Sequence, residues 1–349
     1  TRSLCDWSSD VCSSDLAAIA LTAFCWGVYG PVLHFGRDYM ESALRPFVCV
    51  GLAYFLIAVI APVVLLWRGG EKGGWTSKGV MWSMLSGVAG SLGALGVILA
   101  LTAGGSPIYV MPLVFGGAPV VNTLMSAYLN SSFDQLKAPF LAGLILVITG
   151  AVTVLVFKPQ THSKPDKTQV TAAVQVDEGD AVPVEKKAER FVEILLAVSL
   201  AIFTWGVYGP VLHKGQVAMA GSRLRPLVCI GIAYFLIAVL VPLSLLQPLG
   251  DKGSWNIVGA AWSTAAGSLG AIGALGTILA FACGGKPFTV MPVVFGCAPV
   301  INTLTTLSLS HTPTSALSPF FLAGILIVGV GAATVLTFGP RGHARPKPV

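Results

Sequence analysis

A chain that repeats itself after five apolar runs of membrane-spanning length has few folds open to it. The runs lie at about 17–34, 46–67, 80–103, 108–130 and 138–157, and again at about 191–212, 226–246, 257–283, 287–309 and 317–338. A bilayer core takes roughly 20 apolar residues per helix, so the spacing predicts ten spans in two sets of five. The sets are copies. WGVYGPVLH at 26–34 returns at 205–213, and LRPFVCVGLAYFLIAV at 44–59 returns as LRPLVCIGIAYFLIAV at 224–239. Chance similarity between apolar runs does not keep Trp, Tyr, Pro and Arg in register, so the repeat is an internal duplication. Five is odd, and a half that crosses an odd number of times delivers its twin to the opposite side. The sequence therefore predicts an all-α integral membrane protein of ten transmembrane helices, built as two inverted five-helix repeats.

Composition agrees. A mean hydropathy of +0.80 with only 10% charged residues describes no water-facing surface, so the formal net charge of +6 does not point to nucleic acid. Residues 1–16, TRSLCDWSSDVCSSDL, are polar, Ser-rich and unlike the rest. From Asp6 to Leu16 they resemble a translated sequencing adapter, so this stretch is expected to be non-native and is set apart from the fold. That removes one arginine and three aspartates, which raises the net charge by two. Of the remaining cysteines, Cys25, Cys49, Cys229, Cys283 and Cys297 lie in or beside apolar runs without CxxC spacing and read as packing residues. The first repeat is expected at 17–158 and the second at 191–338. Between them 159–190 reads as a disordered polar linker, and 339–349 as a basic tail. With the N-terminus cytoplasmic, internal short loops and tail carry eleven basic residues and external short loops three, although the linker narrows this bias. Both termini are accordingly expected in the cytoplasm and the protein in the inner (plasma) membrane.

Within each repeat one stretch stands out. Glycine recurs every third residue at Gly87, Gly90, Gly93 and Gly96, and again at Gly267, Gly270, Gly273 and Gly276. Such a ridge, free of side chains, lets another backbone approach closely. The next run is interrupted twice by proline, at Pro112 and Pro119 and again at Pro292 and Pro299, and these are expected to break the helix. Three residues past the second proline sits an amide, Asn122 or Asn302. Broken helices at matching places in two halves of a membrane chain mark a transporter's binding site. Each amide reads as interhelical glue or as a substrate contact, next to carbonyls freed by the prolines at Phe115 and Phe295. Trp26 and Tyr29, with Trp205 and Tyr208, share one helical face just before Gly-Pro. They fit an interfacial aromatic belt or the wall of a cavity for a planar or sugar-like solute. His34 and His213 end the same helices and read as interfacial. Arg45 and Arg225 are expected to snorkel to headgroups or to attract anions.

These features together resemble the drug/metabolite transporter superfamily, and in particular its EamA-type members, over nearly all of 17–158 and 191–338. The resemblance is carried by Trp26-Gly27 and Trp205-Gly206, by the small-residue third helix running into a Pro-containing fourth, and by PFLAGLILVITGAVTVL and PFFLAGILIVGVGAATVL in the fifth. The Gly-Glu turn common in that family before the fifth helix is absent. Its second-helix arginine is replaced by apolar sequence near Tyr54 and Tyr234.

Every acid outside the first 16 residues lies in a loop or at a span end, and no GxxxxGK[ST] loop occurs. Neither a proton-carrying carboxylate nor ATP hydrolysis is expected to drive the protein. The sequence reads as a secondary transporter moving a small neutral or zwitterionic metabolite by alternating access. Its cavity would be lined by helices one, three and four with six, eight and nine. Catalytic residues, metal and cofactor are not expected; partners are a small-molecule substrate and membrane lipid, with room for a homodimer. Two rival classes remain open, a non-transporting receptor or scaffold and a membrane-embedded lipid-modifying enzyme.

Overall fold

The structure, a computed structural model, describes residues 4–69, 71–103, 107–157, 184–248, 250–309 and 318–338. The linker up to residue 183 and the basic tail lie outside the described residues. All regular structure among the described residues is helical. We number the helices α1 (Leu4–Met40), α2 (Leu44–Trp67), α3 (Ser77–Thr102), α4 (Pro107–Asn130) and α5 (Ala138–Val156). The second set is α6 (Val184–Ala218), α7 (Leu224–Leu245), α8 (Ile257–Ala282), α9 (Pro287–Leu309) and α10 (Pro319–Phe338). Among the described residues, eight helices are long and apolar enough to cross a membrane: α1 from Asp15, α2, α3, α5, α6 from Arg190, α7, α8 and α9.

Several expectations change. The helices α4 and α9 run unbroken through Pro112, Pro119, Pro292 and Pro299, so these are prolines inside helices, not breaks. Proline already holds a helical φ and withholds one N–H, and neighbouring helices can support the freed carbonyl. Helices α1 and α6 likewise continue through Pro31 and Pro210, so His34 and His213 lie inside the final turns and not at the ends. The chain stops being helical where Glu41, Ala220 and Gly221 take positive φ. Helix α1 begins inside the adapter-like segment, and α6 takes in the last seven residues expected of the linker, 184–190, whose Glu, Lys and Ala favour helix. Side chains cap several starts; Thr76 Oγ1 accepts from Gly79 N at α3, and Asn256 Oδ1 from Val258 N and Gly259 N at α8.

The packing interleaves the two repeats. Helix α1 lies on α8 and α9, where Thr22 Oγ1 donates to Gly273 O (3.3 Å) and Gly27 faces Ile301 and Ala298. Its copy α6 lies on α3 and α4, where Gly206 faces Val121 and Ala118. The glycine ridges explain the fit. A three-residue step on a helix of 3.6 residues per turn drifts around the axis, so one ridge serves two partners. A methyl at Gly87 would lie 2.8 Å from Ile230 Cα on α7, and one at Gly96 would lie 2.9 Å from Ala197 O on α6. At Gly267 the neighbour is Val50 on α2, and at Gly276 it is Thr22 on α1. Two bundles result, α1–α2–α8–α9 and α6–α7–α3–α4, each taking two helices from either repeat. Helices α5 and α10 pack on each other through Gly143, Gly150, Gly324 and Gly331.

The bundles meet where α2 crosses α7. Both helices widen to a π turn there, at Phe55–Ile60 and Leu236–Leu240, two residues before Pro62 and one before the Val241-Pro242 pair. Gly51 faces Ala238 and Val239, and Gly231 faces Ala58 and Val59. Arg45 at the start of α2 pairs with Asp251 beyond the end of α7, and Arg225 at the start of α7 lies 3.8 Å from Glu71 beyond the end of α2. Helices α2 and α7 therefore run antiparallel. Arg45 and Arg225 are only 13% and 12% exposed and stack over Trp255 and Trp75. They do not snorkel. A carboxylate and an indole face hold them at the protein surface instead.

Candidate functional site

The expected aromatic residues gather where the two bundles face each other. Gly273 leaves room for the Trp26 indole, whose Nε1 donates to Gly270 O (3.2 Å), and the Trp205 indole fills the matching space at Gly93 and donates to Gly90 O (3.1 Å). Because these N–H groups bond backbone inside the protein, the residues are not a water-facing belt. Trp26 meets Tyr208 edge-on across the bundle interface, with ring centroids 5.9 Å apart. Tyr208 is buried, and its hydroxyl has no hydrogen-bond partner.

Four residues that sequence reasoning left out of the site complete it. Tyr54 and Tyr234 stack face to face on the α2–α7 crossing, centroids 3.8 Å apart and planes 2° from parallel. Phe115 bridges Trp205 and Phe295, 6.2 Å from each. Tyr29 is half-buried and packs against the same core. The signal for Tyr54 and Tyr234 was in the repeated AYFLIAV, where each tyrosine carries the one polar atom in an otherwise apolar run.

The two amides differ. Asn122 is fully buried; its Nδ2 donates to Pro287 O at the first residue of α9 (2.8 Å), while Oδ1 is buried and unpartnered. Asn302 is half-buried, and its amide nitrogen rests on Gly30. Neither of these contacts uses the Phe115 or Phe295 carbonyl. The histidines differ too. His34 contacts Asp38 at 2.9 Å on an exposed surface. His213 packs edge-on against Phe281, centroids 5.2 Å apart.

The cluster offers π faces, phenol hydroxyls and amides, and none of its members is charged. Among the described residues no three His, Cys, Asp or Glu side chains come together as a metal site. Such a surface can hold a small solute by stacking and hydrogen bonds.

No family model and no curated protein matches the chain. Among solved structures, one described only as "Crystal structure of protein" is similar, with a TM-score of 0.62 and 18% identity over 93% of this chain and 97% of that one. This likeness is one of fold over nearly the full length of both chains.

Proposed function

We propose that the chain is a secondary transporter of the EamA-like kind, with ten spans in two inverted repeats, moving a small neutral or zwitterionic metabolite by alternating access. The observation that carries this reading is that equivalent positions of the two repeats sit in unequal surroundings. At the α8–α9 end, Val293 is 5% exposed, Met291 is fully buried and His213 packs on Phe281. At the matching end, Leu113 is 51% exposed, Met111 is half-buried and the His34 side chain is 69% exposed. Two copies of one unit, closed at one end and open at the other, are what a protein needs if exchanging the two conformations is to move the opening across the membrane. The antiparallel α2 and α7 support the inversion. The uncharged cluster between the bundles supports a solute without net charge. With both termini in the cytoplasm of an inner-membrane protein, the open end faces outward.

Purified protein would be screened by thermal shift against a metabolite panel, and each hit then tested for uptake into liposomes. Hits that stabilise the protein but never cross would replace the transporter with a receptor or scaffold. Two expectations accompany this one. Lys72→Cys and Lys252→Cys, at equivalent exposed positions, should react with an impermeant maleimide from opposite faces of the membrane; reaction from one face defeats the inverted topology. Uptake of the identified solute should persist with the proton gradient collapsed, since no carboxylate lies in the aromatic cluster. A strict need for that gradient would assign proton transfer to His34 with Asp38, or to His213.

A further inference from the structure

Most contacts between the repeats come in exchanged pairs, Trp26–Gly270 with Trp205–Gly90 for example. At the closed end a few do not. Asn122 Nδ2 on α4 donates to Pro287 O on α9, and Gln216 Nε2 on α6 donates to Ile278 O on α8 (3.0 Å). Met291 of α9 sits directly on Gly209 of α6. All three join one bundle to the other. Their counterparts in the repeat are Asn302, Arg37 and Met111. Asn302 rests on Gly30 of its own bundle, Arg37 is exposed and Met111 is half-buried.

We propose that Asn122 and Gln216 form a latch that holds this end shut, and that the latch changes hands during the cycle. In the opposite-facing state Asn302 Nδ2 bonds Pro107 O and the Arg37 guanidinium bonds Ile98 O, while Asn122 and Gln216 let go. This rests on the alternating-access reading above. The chemistry suits a removable contact. Each amide serves one backbone carbonyl through its NH2 group, while Asn122 Oδ1 and Gln216 Oε1 are buried and unpartnered. Neither side chain is therefore tied into a network that would have to be dismantled. Hydrogen bonds between membrane helices are weak enough that losing one shifts a two-state balance about three-fold, and losing both about ten-fold. That is enough to bias the two states and too little to trap either.

The test uses the full chain with its native cysteines replaced by serine and a single cysteine returned as His34→Cys or His213→Cys, in membrane vesicles treated with an impermeant maleimide from each face. With the latch intact, position 34 should react quickly from outside and position 213 slowly from inside. Asn122→Leu combined with Gln216→Leu should raise the rate at 213 about ten-fold and lower it at 34; Asn302→Leu should instead slow 213 further. An unchanged ratio of the two rates overturns the latch, and so does a parallel rise at both positions, which reports local fraying. If position 213 stays unreactive from inside in every variant, the latch included, then the two-state transporter itself fails.

Discussion

Gly93→Val and Gly273→Val should each abolish recovery of folded protein, whereas Gly329→Ala should purify and melt like the parent. A side chain at Gly93 or Gly273 would overlap the indole of Trp205 or Trp26, and at Gly329 nothing lies within 4 Å. The indole cannot step aside cheaply, because moving it also strips its N–H from Gly90 O or Gly270 O. Overpacking costs about 1–3 kcal/mol and a stranded buried donor about as much again. Together these reach about 4 kcal/mol, most of the margin of a marginally stable protein. Size-exclusion profiles and thermal melts in detergent decide the matter. Gly93→Val melting within about 2 °C of the parent would mean that the ring is free to move, and the aromatic site would lose its fixed wall.

The two inter-repeat carboxylates should respond differently to neutralisation. Asp251 and Arg45 are 9% and 13% exposed and paired directly, so Asp251→Asn leaves a nearly buried guanidinium uncompensated, at a cost of about 3–5 kcal/mol. Adding Arg45→Met removes the orphaned charge and should restore most of the loss. Glu71 stands farther from its arginine and works chiefly as a helix cap. Its carboxylate accepts from Ser222 Oγ (2.6 Å), Arg223 N (2.7 Å) and Leu224 N (3.1 Å) at the start of α7. Glu71→Gln keeps one oxygen for those donors and should cost about 1 kcal/mol. Thermal unfolding of the three variants beside the parent compares them, and equal losses for Asp251→Asn and Glu71→Gln would contradict the division of roles.

Much of this fold could be read from residue types because the repeat conserved what packing requires. Glycine every third residue announced close contact, and the aromatic pairs before Gly-Pro marked one side of the cluster. The partners could not be read. An apolar run in lipid carries no alternation that reports which neighbour each face meets, so nothing in 77–102 says that Gly87 belongs to α7 and Gly96 to α6. Arg45 and Arg225 looked like headgroup anchors because their acids, Asp251 and Glu71, lie about two hundred and one hundred and fifty residues away. The π turns escaped notice for a related reason. Leu-Ile-Ala-Val ahead of a proline suits α and π geometry alike, and the opposing helix at Gly51 and Gly231 supplies the context.

The interleaving of the repeats also sets a timetable for synthesis. Trp26 donates to a carbonyl 244 residues further along the chain, so at a translation rate of 5–20 residues per second its partner emerges roughly 12–50 s later. Over that interval α1 and α2 are in place without α8 and α9, their partners in the bundle, whereas α3 and α4 need only α6 and α7. One bundle can close while the ribosome is still decoding the other. A nascent chain arrested after α7 would therefore hold one finished bundle and two helices open to rescue or to proteolysis.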